Sequence, residues 1–191
     1  MSVIIFFTRE VVPTMEQIPA MRLSERKVQD DERISAFLDR QRIGYLGLAD
    51  QASTYVVPLN YLWANSKVYF HGADSGRKAE ILAQEPTTVC LTIAEELATL
   101  TDPVPAHTDT AFFSVMIFGT VRRVLALDEK REAMQALLDK FVPGYYKQPL
   151  AAQHVERYRS SSGIQTAIYC LEPTVITAKE NPLDPARAFR P

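Results

Sequence analysis

Cysteine and histidine are scarce, two and three residues in a chain of 191. Cys90 and Cys170 sit in the apolar runs VCLTI and IYCLE and read as buried small hydrophobic residues of a reducing compartment. No disulfide between them is expected. No Cys/His spacing suits zinc, so no metal site is expected, and His71, His107 and His154 are too scattered to form a ligand set. Positive charge is not in excess: 21 Lys and Arg stand against 23 Asp and Glu, a net charge of −2. That argues against a generic nucleic-acid binder, which carries a basic face. Long apolar runs are missing too. The opening MSVIIFF is short, lacks a basic leader and is interrupted by Arg9 and Glu10, unlike a signal peptide or a membrane span. A cytoplasmic protein without a membrane partner is expected. There is no Walker loop, no GxGxxG, no nucleophile elbow, no repeat and no low-complexity segment.

What is present fits one domain over residues 1–191, long enough to bury a core. It has an N-terminal arm over about residues 1–20 and a Pro-rich, irregular tail over about 179–191. Asp30 or Asp31 can cap a helix that places Ile34, Phe37 and Leu38 on one face and ends near Gln41. RIGYLGLAD, TYVVPLNYLWA and KVYFH follow as three strands joined by tight turns, which predicts an antiparallel meander. A helix is expected from about Ser75 to Gln84, then the strand TTVCLTIAE, a loop over 96–110, and the long strand FFSVMIFGTVRRVL with a bend at Gly119. Asp128 is expected to cap an amphipathic helix burying Met134, Leu137, Leu138 and Phe141. A short helix over about 150–158 and a last strand pair, or one bent strand, in IQTAIYCLEPTVITAK complete the reading. About six strands and three or four helices, with strands clustered as hairpins, predict a mostly β (α+β) fold: an antiparallel barrel with helices outside.

The stretch YFHGADSGRKAEIL carries the first candidate site. Arg77 and Lys78 fall in the first turn of a helix, where the macrodipole is already positive. Gly72 and Gly76 bend the chain before them, so N–H groups and two cations can converge on a phosphate. A solvated helix face with Glu80 pairing either cation is the plainer alternative. Pro58 lies inside a strand, where it removes a ladder donor. Asn60 shares its side, which lines either a polar pocket or a surface edge. His71 ends the next strand beside the basic turn, and Ser114 is a lone polar residue in the apolar FFSVMIF.

Together, MRLSERKVQDDERISAFLDRQRIGYLGLAD, YVVPLNY, KVYFHGADSGRKAEIL and FFSVMIFGTVRRV resemble the pyridoxamine 5′-phosphate oxidase-like flavoproteins, and more closely their nitroimidazole-reductase branch. The resemblance covers roughly Met21 to Lys140. It implies a split antiparallel β-barrel that dimerises and holds FMN at the interface. By position, the strand with Val57, Pro58, Leu59 and Asn60 would lie along the flavin, with backbone groups of Val57, Leu59 and Asn60 near the ring. Phe70 and His71 would sit by the ribityl chain and ring, Arg77 and Lys78 would clamp the phosphate, and Ser114 would approach from the partner subunit. His71 would be the catalytic candidate, placed near the substrate. The tail ENPLDPARAFRP lacks the basic, His-containing segment with which true pyridoxamine phosphate oxidases grip their substrate, so that activity is not expected.

The expectation is therefore an FMN-dependent oxidoreductase, reduced by a nicotinamide nucleotide and passing electrons to a small molecule such as a nitroaromatic. A flavin- or haem-binding module without turnover, acting as a sensor or cofactor carrier, is the alternative. A structural dimer with an empty pocket is the third reading.

Overall fold

The computed structural model describes residues 21–84, 86–161 and 163–190. The N-terminal arm expected over 1–20 lies outside them. Asp30 starts the first helix, α1 (Asp31–Arg40), by accepting the Arg33 N–H at 3.0 Å on its side chain. Ile34, Phe37 and Leu38 then fall on one buried face.

Strand β1 (Lys27–Val28) precedes α1, and β2 (Ile43–Ala49), β3 (Thr54–Ala64) and β4 (Lys67–Ala73) follow it as the expected meander. The β3–β4 turn is Asn65–Ser66, both at positive φ, as a two-residue hairpin on a twisted sheet requires. Helix α2 (Arg77–Leu82) leads to β5 (Thr87–Leu100) and β6 (Asp109–Arg123). Next come α3 (Leu127–Phe141), α4 (Ala152–Glu156) and β7 (Thr166–Asn181). The strands are ordered β1-β7-β4-β3-β2-β5-β6, and β6 also pairs with β7. That last pairing closes six antiparallel strands into a barrel, with β1 added outside on β7. The fold is a split barrel of the α+β kind.

Leu46, Tyr61, Phe70, Leu91, Ile117 and Leu171 fill the barrel. Helix α1 closes one end, with Phe37 against Phe113 at 4.6 Å and the Tyr61 hydroxyl donating to the Leu38 carbonyl at 2.7 Å. Helix α2 sends Ala79, Ile81 and Leu82 into the core. A second apolar layer packs α3 and α4 on the outside, through Leu62, Tyr69, Met134, Leu137 and Val155. No helix among the described residues is long and apolar enough to cross a membrane.

Several expectations are corrected. The loop expected over 96–110 shrinks to residues 101–108, because β5 runs on to Leu100 and β6 begins at Asp109. Non-local pairing sustains this extension: β5 follows β6 through a bulge at Glu96/Ala98, and Leu100 bridges Ala188. Asp128 is not a cap. It lies in the first turn of α3 behind Ala126, and its neighbour Glu129 is taken by Arg122 and Tyr69. Ala133 takes the buried place expected of Leu138 and Phe141, which are half-buried. Of the two arrangements left open for the final segment, the single strand is the one that forms. It slips register against β6 at Phe118/Gly119, and it reaches Asn181, so the irregular tail begins at 182. That tail is tied down, with Arg187 donating to the Thr101 carbonyl at 3.1 Å. Both cysteines are free, Cys170 buried and Cys90 half-buried.

Candidate functional site

Strands β3 and β4 pair only at Tyr61–Ala64 with Lys67–Phe70. Beyond Tyr61 they part. Residues 54–60 of β3 remain with β2, while His71, Gly72 and Ala73 of β4 remain with β7. This is the split, and its lips carry most of the candidate residues.

Strand parity decides which backbone groups face the opening. Ala64 and Lys67 flank a two-residue turn, so they form its closing hydrogen-bonded pair. Even-numbered residues of β3 therefore turn their N–H and C=O groups toward β4, and odd-numbered ones toward β2. Val56, Pro58 and Asn60 address the opening, whereas the backbone groups of Val57 and Leu59 are committed to β2. The missing donor of Pro58 thus costs the β2–β3 ladder nothing. The side chains of Pro58 and Asn60 are exposed on one face, while Leu59 lies in the core and Val57 packs against it. On the other lip, Phe70 is fully buried against Tyr169 at 5.3 Å. His71 is exposed.

Arg77 and Lys78 straddle the split. Arg77 reaches the β3 lip. Its Nε and Nη2 donate to Asp50 at 2.9 and 3.1 Å, Nη2 also donates to the Ser53 hydroxyl at 2.8 Å, and the guanidinium lies 4.7 Å from the Tyr55 ring centre. The Arg77 fork, helped by the Ser53 and Ala52 N–H groups, holds the Asp50 carboxyl well below the usual carboxylate range. Lys78 turns to the β4 lip. A Cβ on Gly72 would come within 3.1 Å of Lys78 Cε and closer still to Nζ, so the ammonium occupies the volume a side chain at 72 would fill. Burial pushes the Lys78 pKa down, and no described residue forms an ion pair or hydrogen bond with it. The His71 pKa is lowered by its surroundings and then by the Lys78 charge, which favours the neutral imidazole.

Helix α2 has only six residues, so side chains rather than the macrodipole supply most of the positive charge here. Gly76, at φ 85°, caps it from the region glycine favours. Asp50, Ser53 and Tyr55 were not singled out as candidates for the site. The turn that Asp50 makes was legible, but its pairing with Arg77, 27 positions on, was not.

Ser114 is not part of this cluster. It sits on β6, donating to the Lys179 carbonyl at 3.4 Å, and lines a separate groove of about 280 Å³ with Met21, Arg22, Met116, Phe118 and Lys179. The three histidines stand on three different elements, and no group of three or more His, Cys, Asp or Glu side chains among the described residues could hold a metal.

Residues 30–180 match the family model described as pyridoxamine 5′-phosphate oxidase. No curated protein matches. Among solved structures, the flavocytochrome Anf3 of Azotobacter vinelandii is similar at TM-score 0.72 and 23% identity, covering 86% of this chain and 75% of its own. The FAD and heme binding protein of Mycobacterium smegmatis is similar at TM-score 0.67 and 18% identity, covering 84% and 77%. A 5-nitroimidazole antibiotic resistance candidate of Bacteroides thetaiotaomicron is similar at TM-score 0.61 and 22% identity, covering 80% and 85%. At these identities the likeness is one of fold.

Proposed function

The chain belongs to the pyridoxamine 5′-phosphate oxidase family, and from that premise we propose that it binds a phosphorylated flavin in the split and works as an oxidoreductase on a small acceptor. One observation carries this reading. The Lys78 ammonium is half-buried at the opening, without an ion pair among the described residues, in space kept clear by Gly72. An anion belongs there. The backbone groups of Val56 and Asn60, which the β3 edge leaves toward the opening, suit the polar rim of a flat ring. FMN is the flavin the family resemblance implies. The flavin-binding proteins among the similar structures fit the same reading.

When bound, the flavin supplies the electron and hydride chemistry, and the chain supplies binding, orientation and proton control. His71 is the residue placed for the substrate. As a neutral imidazole on the exposed lip it can accept or donate a hydrogen bond at an acceptor's polar atom. A nicotinamide donor and a nitroaromatic acceptor are the proposed partners. Of the two arginines in the tail, Arg187 is already engaged by Thr101, Asp102 and the His107 carbonyl rather than held out toward a substrate phosphate.

A second copy of the chain completes the proposal. Cross-strand register lines up Pro58, Tyr45, Thr92, Met116 and Thr177 in one row over the outer face. Ile43, Tyr45, Val56 and Met116 expose 51%, 49%, 61% and 38% of their surface there. Strand β3 is three spacings from β6, roughly 14 Å. A twofold axis between β2 and β5 would lay the partner's Ser114 groove against this chain's Pro58–Asn60 edge, an isologous contact that covers the apolar face.

The direct test is an absorption spectrum of the purified protein before and after adding flavin, then with NAD(P)H under anaerobic conditions. Flavin bands that shift on binding and bleach with the donor support the reading. A Soret band would move the case to haem, and no chromophore with no flavin affinity would reject it. The pH dependence offers a further check. Lys78 holds an anion only while protonated, and burial lowers its pKa below the ordinary 10.5. Flavin affinity is therefore expected to fall as pH rises toward that value from below, and Lys78→Arg should carry the loss to higher pH. Parent and Lys78→Arg proteins with the same alkaline profile would remove Lys78 from the seat.

A further inference from the structure

The groove that Ser114 lines, on the outside of β6 and β7, holds positive charge that nothing in the described chain answers. Val28, Val115, Ile117 and Ala178 point into the barrel core, so the residues alternating with them face outward. Register then sets Lys27 across from Lys179, and Lys179 across from Ser114. Like charges directly opposed on neighbouring strands destabilise the pair. Arg22 lines the same groove and adds a third cation. Among the described residues, none of the three side chains has an ion pair or hydrogen bond. The carboxylates of β6 and β7 are engaged elsewhere: Asp109 by Arg26 at 2.8 Å, Glu172 by Lys67 and Arg122, and Glu180 by Arg33. Glu25, in the helical turn Ser24–Arg26, pairs with neither Arg22 nor Lys27.

The rest of the groove is apolar. Met21, Met116 and Phe118 line it, with the hydroxyls of Ser114 and Thr177 among them, around about 280 Å³. An apolar lining with a few polar groups is the make-up of a small-molecule site, and this volume suits a ring or two rather than a nucleotide. We propose that this groove holds the electron acceptor, and that the acceptor is a small aromatic carboxylate. Its ring meets the methionines and Phe118, since aromatic faces and thioether sulfurs attract one another. Its carboxylate meets the Arg22 fork, which can take both oxygens, and the Lys179 point charge. The anion relieves the repulsion between Lys27 and Lys179, which a neutral nitroaromatic cannot do. The proposal rests on the flavin reading and deepens it: in the twofold arrangement, this groove lies against the flavin edge of the partner.

The experiment titrates the flavin-loaded protein, with no electron donor present, with 4-nitrobenzoate and 4-nitrobenzamide, which share an outline and differ in charge. 4-Nitrobenzoate is expected to bind about tenfold or more tighter, the effect of one charge-assisted contact. Lys179→Met and Arg22→Met should each bring the ratio down toward one, and Lys179→Arg should keep it. Anaerobic turnover with NAD(P)H then ties the groove to the reaction. Each step oxidises one NAD(P)H, takes up one proton, turns the nitro group to nitroso and releases the lost oxygen as water. Benzoate, which has no nitro group, should compete with 4-nitrobenzoate for this reduction. Equal affinity for the two nitro compounds, or a ratio indifferent to Lys179→Met and Arg22→Met, would overturn the inference and leave the flavin reading standing. So would benzoate that binds without competing. A protein that takes up no flavin sinks both.

Discussion

Gly119→Ala should leave little folded protein. A Cβ at this position would come within 2.9 Å of the Glu172 carbonyl carbon, 3.0 Å of Pro173 Cα, and closer still to the Glu172 oxygen. All three are backbone atoms and cannot swing aside as a side-chain tip would. They belong to the β6–β7 seam where the register shifts, and that seam closes the barrel. Overpacking against fixed neighbours costs about 3 kcal/mol or more, a large part of the roughly 5–15 kcal/mol that holds a domain together. Soluble yield and a thermal melt measure it. The melting point should fall by about 6–12 °C or more for a chain of this size. A fall under about 3 °C would mean the seam relaxes around the methyl group, and that Gly119 is a convenience rather than a requirement.

Lys78→Ala should keep the fold and release the flavin. Removing a charge-assisted contact costs about 1.5–3 kcal/mol, or roughly 10- to 150-fold in affinity. Gly72→Ala should imitate it from the other side. The added methyl meets only the far end of the Lys78 side chain, which can move, so the barrel stands but the ammonium leaves its place. Arg77→Ala should behave differently, loosening the β2–β3 turn more than the phosphate contact, because its donors serve Asp50 and Ser53. Flavin titrations paired with melting curves separate the three. Lys78→Ala binding flavin as the parent does would place the anion elsewhere.

The parts of this fold written in short-range chemistry were legible in the chain. Asp30 with its apolar i, i+3, i+4 partners announced α1, and the turns at Asp50–Ser53 and Asn65–Ser66 announced the meander. Pro58 inside a strand pointed correctly to an edge. What stayed hidden depends on distant partners. The last residues of β5, from Glu96 to Leu100, look like loop, until β6 and the tail at Ala188 pair with them. Asp128 has the chemistry of a cap, but α3 starts one residue earlier, where Glu129 can reach Arg122. At the site, the basic pair and His71 were visible as a cluster. That Asp50 would occupy one of the two cations was not, since nothing local links residue 50 to residue 77.

The open lip of β3 has a consequence for life at high protein concentration. A strand with one edge unpaired offers its donors and acceptors to any other chain, and TYVVPLN is apolar enough to seed stacking of copies edge to edge. The groups that would do the templating are those of Thr54, Val56, Pro58 and Asn60, and the third of these has no N–H to give. The row is broken at its centre. A ligand that needs only a few contacts can still use the edge, while a foreign strand that needs an uninterrupted ladder cannot, so Pro58 lets the barrel stay open without becoming a nucleus for fibres.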